Sequence, residues 1–389
     1  MNKSVVEKYW NKYTIADNDS NKFTVNIEDS INHIKTIDRL YPLYMDLFDL
    51  FKEHDNKIIL DYGCGPANDL LGFALYSKCK KIIGIDISSK ALHLATNRLN
   101  LHNILITDDV TDKKGITLIK TSENDNKINI ASDFVDYIQS TGVIHHTSNP
   151  VSILKELYRI LKPNCIAKFM MYHRNSLYVR LTLTLELLRK NINMDVYDYF
   201  EKTGRADSGA PIAFLSDNED FVLMGEQAGF KTKFIDCAFS IADLRSVLDI
   251  PFALYNNNFP EKHKEFLRNI TYYKANNIDI SNNYKNISLE IDRLYEIEIT
   301  VNNLYYILPL RYTFDGLTDK GYYEEPCNYN IIISTGEFTI KKKLYSFKDV
   351  INITEYNNNF INSNIKITQI YPSYNGYNPG MNAIYEFTK

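Results

Sequence analysis

Apolar and polar residues follow two rhythms along this chain. From 28 to 51, Ile31, Ile34, Ile37, Leu40, Leu43, Leu47 and Leu50 recur every three or four positions, the spacing of one helix face. Pro42 breaks that helix or kinks it. Short apolar runs then take over at 57–61, 81–86, 103–107, 134–139 and 165–172. The first two end in acids, and the third leads into Asp108-Asp109. Helical stretches lie between them at 67–78, 88–100 and 150–161, and 111–132 reads as a polar loop excursion. Strands alternating with helices predict a doubly wound parallel sheet, because parallel neighbours need crossover connections.

Beyond Tyr172 the pattern changes. A helix is expected over 176–190 and a loop over 191–215, with Gly204, Gly209 and Pro211. Ser216 is placed to cap a helix over 217–228, Glu219 completes a capping box, and Gly229 ends it. A sixth strand follows at 230–239, then helical patterns over 241–275. From about 286 the chain turns strand-like. Runs at 294–301, 364–370 and 383–388 join a hairpin pattern at 331–334 and 337–341 around Thr335-Gly336.

A formal net charge of -4 and a pI near 6.1 argue against broad binding to nucleic acid. The apolar runs are too short to span a bilayer, and MNKSVVEKYW lacks a signal-peptide core. Cys64, Cys79, Cys165, Cys237 and Cys327 are scattered, with no CxxC pair and no Cys/His cluster for zinc. That usage suits a reducing, cytoplasmic setting.

The chemistry concentrates at one place. Asp61-Tyr62-Gly63-Cys64-Gly65-Pro66-Ala67-Asn68-Asp69 follows the first apolar run, and Gly84-Ile85-Asp86-Ile87-Ser88 closes the second. A glycine turn that opens a helix, followed one strand later by an acid, is a nucleoside grip: backbone approaches the ligand and the acid accepts from ribose hydroxyls. A dinucleotide would want a third small residue where Asn68 stands, and Asp69 would repel a pyrophosphate at the helix start. No P-loop lysine is present either. A nucleoside cofactor without phosphates fits better.

ILDYGCGPANDLLGFA, IGIDIS, ITDDV, STGVIHHTSNP and LKELYRILKPN, in that order, resemble the successive motifs of class I S-adenosylmethionine-dependent methyltransferases. The similarity is greatest to a broad bacterial group, the methyltransferase type 11-like enzymes, with a GVLHHT-like fourth motif. It covers about residues 1–240 and extends to YHRNSL and to the segment 206–230. The resemblance implies a Rossmann-like fold and S-adenosylmethionine as cofactor. It implies that Gly63, Cys64 and Gly65 lay backbone against the methionine and ribose, with Asp61 near the methionine ammonium. Asp86 would take the ribose hydroxyls and Ile87 would pack on adenine. Asp109 (or its neighbour Asp108) would accept from the adenine amino group, and Val110 would donate to adenine through its backbone. Ser140, Thr141 and Gly142 would flank the methionine part. Ala67 stands where the family has a third glycine, and Asn164-Cys165 where it has Gly-Gly. Asp69 reads equally as a first-turn acid favoured by the helix dipole.

Three segments are expected: an N-terminal helical lid over 1–50, the methyltransferase domain over 51–285, and a β-rich, α+β accessory extension over 286–389. Candidate catalytic groups lie past the fourth and fifth strands: His146, Tyr172 and His173. Glu201, Arg205 and Asp207 offer charges to a polar substrate, or are solvated loop charges. Tyr9, Trp10 and Tyr13 form an aromatic cluster suited either to close over the cofactor or simply to pack. The expected reaction is methylation of an O or N atom of a natural-product-type small molecule or a modified peptide. The alternatives are lipid, quinone or saccharide methylation, or a non-catalytic scaffold that binds S-adenosylmethionine. The Tyr- and Asn-rich extension suits a bulky or peptidic substrate, homodimerisation, or packing alone. Nucleic acid is not an expected partner.

Overall fold

Four short helices open the chain: α1 (Val5–Lys12), α2 (Ser20–Phe23), α3 (Ile27–Leu40) and α4 (Tyr44–Phe48). The computed structural model describes residues 5–13, 20–51, 54–112, 114–122, 127–204, 209–279, 294–301, 304–311, 329–333, 339–342 and 364–389. The break between α3 and α4 falls at Pro42, as the spacing predicts.

Strand and helix then alternate through β1 (Ile58–Tyr62), α5 (Asn68–Tyr76), β2 (Lys81–Asp86), α6 (Ser89–Leu101), β3 (Ile116–Lys120), β4 (Val135–Thr141), α7 (Pro150–Ile160) and β5 (Leu161–Tyr172). Helix starts follow local chemistry. Ser88 accepts from Ala91 N to begin α6, and Asn149 accepts from Ser152 N to begin α7, with Pro150 in its first turn. A π-helical turn (Tyr178–Leu183) leads into α8 (Thr184–Arg189), and the expected loop over 191–215 contains α9 (Val196–Thr203). Then come α10 (Asn218–Ala228) and β6 (Lys231–Ala238). The capping box of α10 is Asp217 with Asp220, one residue beyond the expected Ser216 and Glu219. Ser216 is extended instead: it bridges to His173, and its N–H donates to the Tyr172 carbonyl at 3.0 Å.

The third strand differs from expectation. Residues 103–107 contribute only an isolated Ile106–Ile116 bridge, whereas β3 pairs with β2 from Ile82↔Ile116 to Asp86↔Lys120. Gly115, at φ 83, turns the chain back into β3. The buried Lys81 Nζ donates to Thr107 Oγ1 at 2.6 Å and to the carbonyls of Asp109 and Lys114 at 3.2 and 3.4 Å. The segment leading to Asp109 is thereby held at the amino end of β2.

The sheet order is β3-β2-β1-β4-β5-β13-β6, where β13 (Asn382–Thr388) is the last element of the chain. It lies antiparallel to both β5 and β6, and the remaining pairs are parallel. The domain boundaries are corrected accordingly. One unit is Met1–Ser240 together with Gly380–Lys389, and the other is Ile241–Pro379. The boundary expected near 280–287 lies outside the described residues, as does the Thr335-Gly336 turn. The second unit is an insertion between two neighbouring strands of the first, not an appendage. It comprises α11 (Ile241–Ser246), α12 (Ile250–Tyr255), α13 (Glu261–Arg268) and strands β7 (Ile270–Asp279), β8 (Leu294–Val301), β9 (Leu304–Arg311), β10 (Tyr329–Ile333), β11 (Thr339–Lys342) and β12 (Asn364–Tyr374). These strands form an antiparallel sheet of order β11-β10-β9-β8-β12-β7. Among the described residues, no helix is long and apolar enough to cross a membrane.

Ala383, Ile384, Tyr385 and Phe387 are all fully buried. Each large side chain among them contributes about 2 kcal/mol of burial. Removing residues 382–389 is therefore expected to unfold the seven-stranded unit, lowering soluble yield and abolishing a cooperative thermal transition. A terminal tail of an accessory domain would be dispensable in the same measurement.

Candidate functional site

The carboxyl ends of β1, β2 and β4 surround a cavity of about 390 Å³. The turn after β1 forms its floor. Gly63 and Gly65 have φ of 83 and 50. A Cβ on Gly63 would lie 2.1 Å from Val143 Cγ2. Ala67 also sits at φ 63, which explains why a glycine is usual there and which costs an alanine about 1 kcal/mol. The turn is pinned to β2: Gly63 N and Cys64 N donate to the Ile85 carbonyl at 2.7 and 3.0 Å. Gly65 N donates to Asp86 Oδ2 at 2.8 Å, and Ser88 N to Asp86 Oδ1 at 2.7 Å. Burial pushes the Asp86 carboxyl up, and the backbone donors of Ser88 and Gly65 pull it back. Each oxygen keeps lone-pair capacity for a ligand hydroxyl.

Of the residues expected to bind cofactor, Gly63, Gly65, Asp86, Ile87 and Gly142 line the cavity together. Asp61, Cys64, Ser140 and Thr141 are not part of its wall. Asp61 is 3% exposed beneath the turn. Cys64 is buried, its thiol pushed up by burial. Ser140 Oγ donates to the Tyr62 carbonyl at 2.7 Å, and Thr141 Oγ1 accepts from Tyr44 OH at 2.8 Å. They brace the wall from behind.

Asp109 and Val110 are not brought to the cavity. The Asp109 carbonyl accepts from Lys81 Nζ at 3.2 Å, at the far end of β2 from Asp86. Its exposed carboxylate accepts from Thr111 N at 2.8 Å, which holds it below its usual range. Thr121 and Ser122, just past β3, occupy the wall instead. Sequence reasoning missed them because it placed the third strand thirteen residues early, at 103–107 instead of 116–120. It also missed Val143, Thr147, Ser148, Asn149, Ser152 and Ile153 on the same wall, though residues 143 and 147–149 lie in the motif STGVIHHTSNP.

Val6 and Trp10 of α1 complete the enclosure. Ser88 Oγ donates to the Trp10 carbonyl at 3.0 Å, and Lys120 Nζ pairs with Glu7 Oε1 at 2.9 Å. The Trp10 ring lies edge-on to His146, centroids 5.2 Å apart, and Tyr9 packs against both Trp10 and Tyr13.

His146 lines the cavity, and its Nδ1 donates to the Ile212 carbonyl at 2.6 Å. A carbonyl only accepts, so Nδ1 carries a proton, and in the neutral ring the lone pair is on Nε2. Tyr172 packs against His145 with the rings tilted, centroids 3.7 Å apart, behind that wall. Burial holds His145 far below the usual imidazole range. His173 is 1% exposed, off the cavity, and burial pulls it down to about 4 against the opposing Asn175 backbone and Asn218 side chain. Glu201 is exposed on α9, and Arg205 and Asp207 lie outside the described residues.

Residues 53–194 match a family model described as a methyltransferase domain. This stretch holds the glycine turn, Asp86 and His146 in their found positions.

Residues 53–194 of the chain carry a methyltransferase domain.

The chain is 25% identical over 169 residues to a ubiquinone biosynthesis O-methyltransferase of Hydrogenovibrio crunogenus, a match covering 42% of this chain and 65% of that protein. Similar solved structures include the YcgJ protein of Bacillus subtilis, at 14% identity and TM-score 0.37, covering 50% of this chain and 69% of that one. A methyltransferase of Aquifex aeolicus matches at 19% identity and TM-score 0.34, covering 53% of this chain and 91% of its own. The methyltransferase cavity fits S-adenosylmethionine. Its wall carries one acid, Asp86, apolar Ile87, Ala91 and Val143, and no lysine or arginine.

Two outcomes follow for the methyltransferase domain. Gly63→Ala should lose measurable S-adenosylmethionine binding in a titration, because its Cβ collides with Val143 and its φ is unfavourable to alanine. His173 is buried neutral, so the unfolded chain binds more protons between pH 4 and 6.5, and stability should rise with pH across that window. Urea unfolding should show about 3 kcal/mol of loss on acidification over that window, and His173→Asn should remove that component.

Proposed function

We propose that the enzyme transfers the methyl group to an O or N atom of a natural-product-type small molecule or a modified peptide. The observation that carries this reading is topological. The chain leaves the seven-stranded sheet after β6 and re-enters it at β13, where Asn382 pairs with both Ala238 and Tyr172. Both crossing points lie at the carboxyl edge, the edge at which an open α/β sheet binds its ligands. Residues 241–379 are inserted in the chain between β6 and β13, and an insertion of that size favours an acceptor larger than a simple metabolite.

S-adenosylmethionine, when bound, supplies a methyl group on a cationic sulfur. Asp86 orients the ribose through oxygens already aimed by Gly65 and Ser88, and Gly63, Gly65 and Gly142 give close backbone approach. Ile87 would pack on the adenine, and Thr121 and Ser122 line the same cavity. Asp61, Cys64, Ser140 and Thr141 act from behind the wall. His146 takes the acceptor's proton at Nε2, the nitrogen left basic by the Ile212 carbonyl. Because His146 is only 3% exposed beneath Trp10, α1 acts as a lid that shifts to admit the acceptor. Tyr172 and His173 hold the end of β5 and the histidine pair in place rather than exchanging protons.

A second reading, quinone O-methylation, is favoured by the relative named for ubiquinone biosynthesis. The test is incubation of the protein with S-adenosylmethionine and a panel of hydroxylated aromatics, quinols and peptides encoded near its gene, followed by mass spectrometry. A mass gain of one methyl on a natural product or peptide is expected; gain on quinols alone selects the second reading. His146→Gln should lower turnover about 100-fold while cofactor affinity stays within a few fold. Undiminished turnover in that variant would remove His146 as the base.

A further inference from the structure

Beneath the Gly63–Gly65 turn lie two acids that do not line the cavity. Asp61 is the penultimate residue of β1 and Asp69 lies in the first turn of α5, and the Gln139 amide of β4 bonds to both, its Nε2 donating to Asp69 Oδ2 at 2.8 Å. Among the described residues neither acid forms an ion pair. The cation that acts on Asp69 is Arg98 of α6. Its guanidinium donates to Ser30 Oγ at 2.9 Å, the Ser30 carbonyl at 2.7 Å and Asn68 Oδ1 at 3.3 Å, and it reaches Asp69 only through space. Other titratable groups also face the pair. They are Tyr44 of α4, Tyr137 of β4, Cys64 of the turn and Asp86 of β2, with His33 of α3 bonded to Asn68 at 2.8 Å.

A further atom points to a proton here. Gln139 is fully buried, and its Oε1 has no hydrogen-bond partner among the described residues. A carboxylic acid O–H is the donor that a neighbouring Asp can offer it, and two adjacent buried carboxyls resist ionising together. Resting on S-adenosylmethionine as the cofactor, we propose that Asp61 and Asp69 share a bound proton in the unloaded protein and that cofactor binding expels it to solvent. The ammonium and sulfonium charges of the cofactor replace the proton's charge beside the turn. Burial pushes Asp69 up to about 6 and Asp61 well above its usual range, with Asp69 adding to the effect on Asp61. The unloaded pair binds the proton and the loaded pair does not, so cofactor affinity rises with pH through the region around 6 and levels off above it. The demethylated product lacks the sulfonium charge, so its affinity depends less on pH.

The test is calorimetric titration of the full chain with S-adenosylmethionine at pH 6, in phosphate and in imidazole, buffers of different ionisation enthalpy. Release of about half a proton or more per cofactor is expected. Asp69→Asn should bring it near zero, while Asp86→Asn should retain it at reduced affinity. Equal heats in both buffers with cofactor bound would overturn the inference and leave the cofactor assignment standing. No binding in either buffer would overturn the cofactor assignment and the inference together. Should Asp69→Asn fail to fold, the buffer comparison on the wild-type chain decides. Release that vanishes in Asp86→Asn and persists in Asp69→Asn would place the proton elsewhere and overturn it as well.

Discussion

The two oxygens of one buried carboxylate hold this site together. Asp86 accepts from Gly65 N on one side and Ser88 N on the other, so the turn after β1 and the start of α6 are tied to the same strand end. Desolvating that charge is costly, and two backbone donors offset the cost in part. The consequence is preorganisation. A ligand hydroxyl meets a carboxylate whose direction is already set, and no side-chain entropy remains to be lost at that residue. Ser88 extends the same economy by capping α6 through its hydroxyl while that hydroxyl donates to Trp10 of α1.

How much of this was legible from residues alone depended on whether local chemistry decided the outcome. The glycine turn, Asp86 and the histidine pair were legible because each obeys a short-range rule: positive φ at Gly63 and Gly65, an acid at a strand end, a strand-end loop. The third strand was not. Residues 103–107 and 116–120 are both short and partly apolar, and what separates them is pairing with β2, a long-range fact. Lys81 shows the difference, since its ammonium anchors the first segment away from the sheet. The error then carried Asp109 to the wrong end of β2 and concealed Thr121 and Ser122.

The domain boundary failed for a related reason. The change of rhythm after 240 is visible in sequence, and the strand-like character of 383–388 is visible too. Nothing local says which sheet a strand joins. Residues 383–388 alternate like the strands of the inserted unit, yet they complete the other sheet, filling the gap between β5 and β6. The two strands flanking β13 therefore depend on the chain returning after residues 241–379 have been threaded elsewhere. Such non-local pairing is slow to form, because loop closure must precede the contacts that reward it.

Charge explains the choice of ligand more sharply than shape does. A pyrophosphate would need cationic side chains or several free backbone donors, and this wall has no lysine or arginine, while Asp69 stands in the first turn of α5. Asp61, Asp69 and Asp86 instead surround the turn with carboxyl groups in a medium that penalises their ionisation. A cationic ligand relieves that penalty and a phosphate compounds it. Methyl transfer would remove the sulfur's positive charge, and three buried carboxyl groups around the turn would then hold the uncharged thioether product less well than the sulfonium.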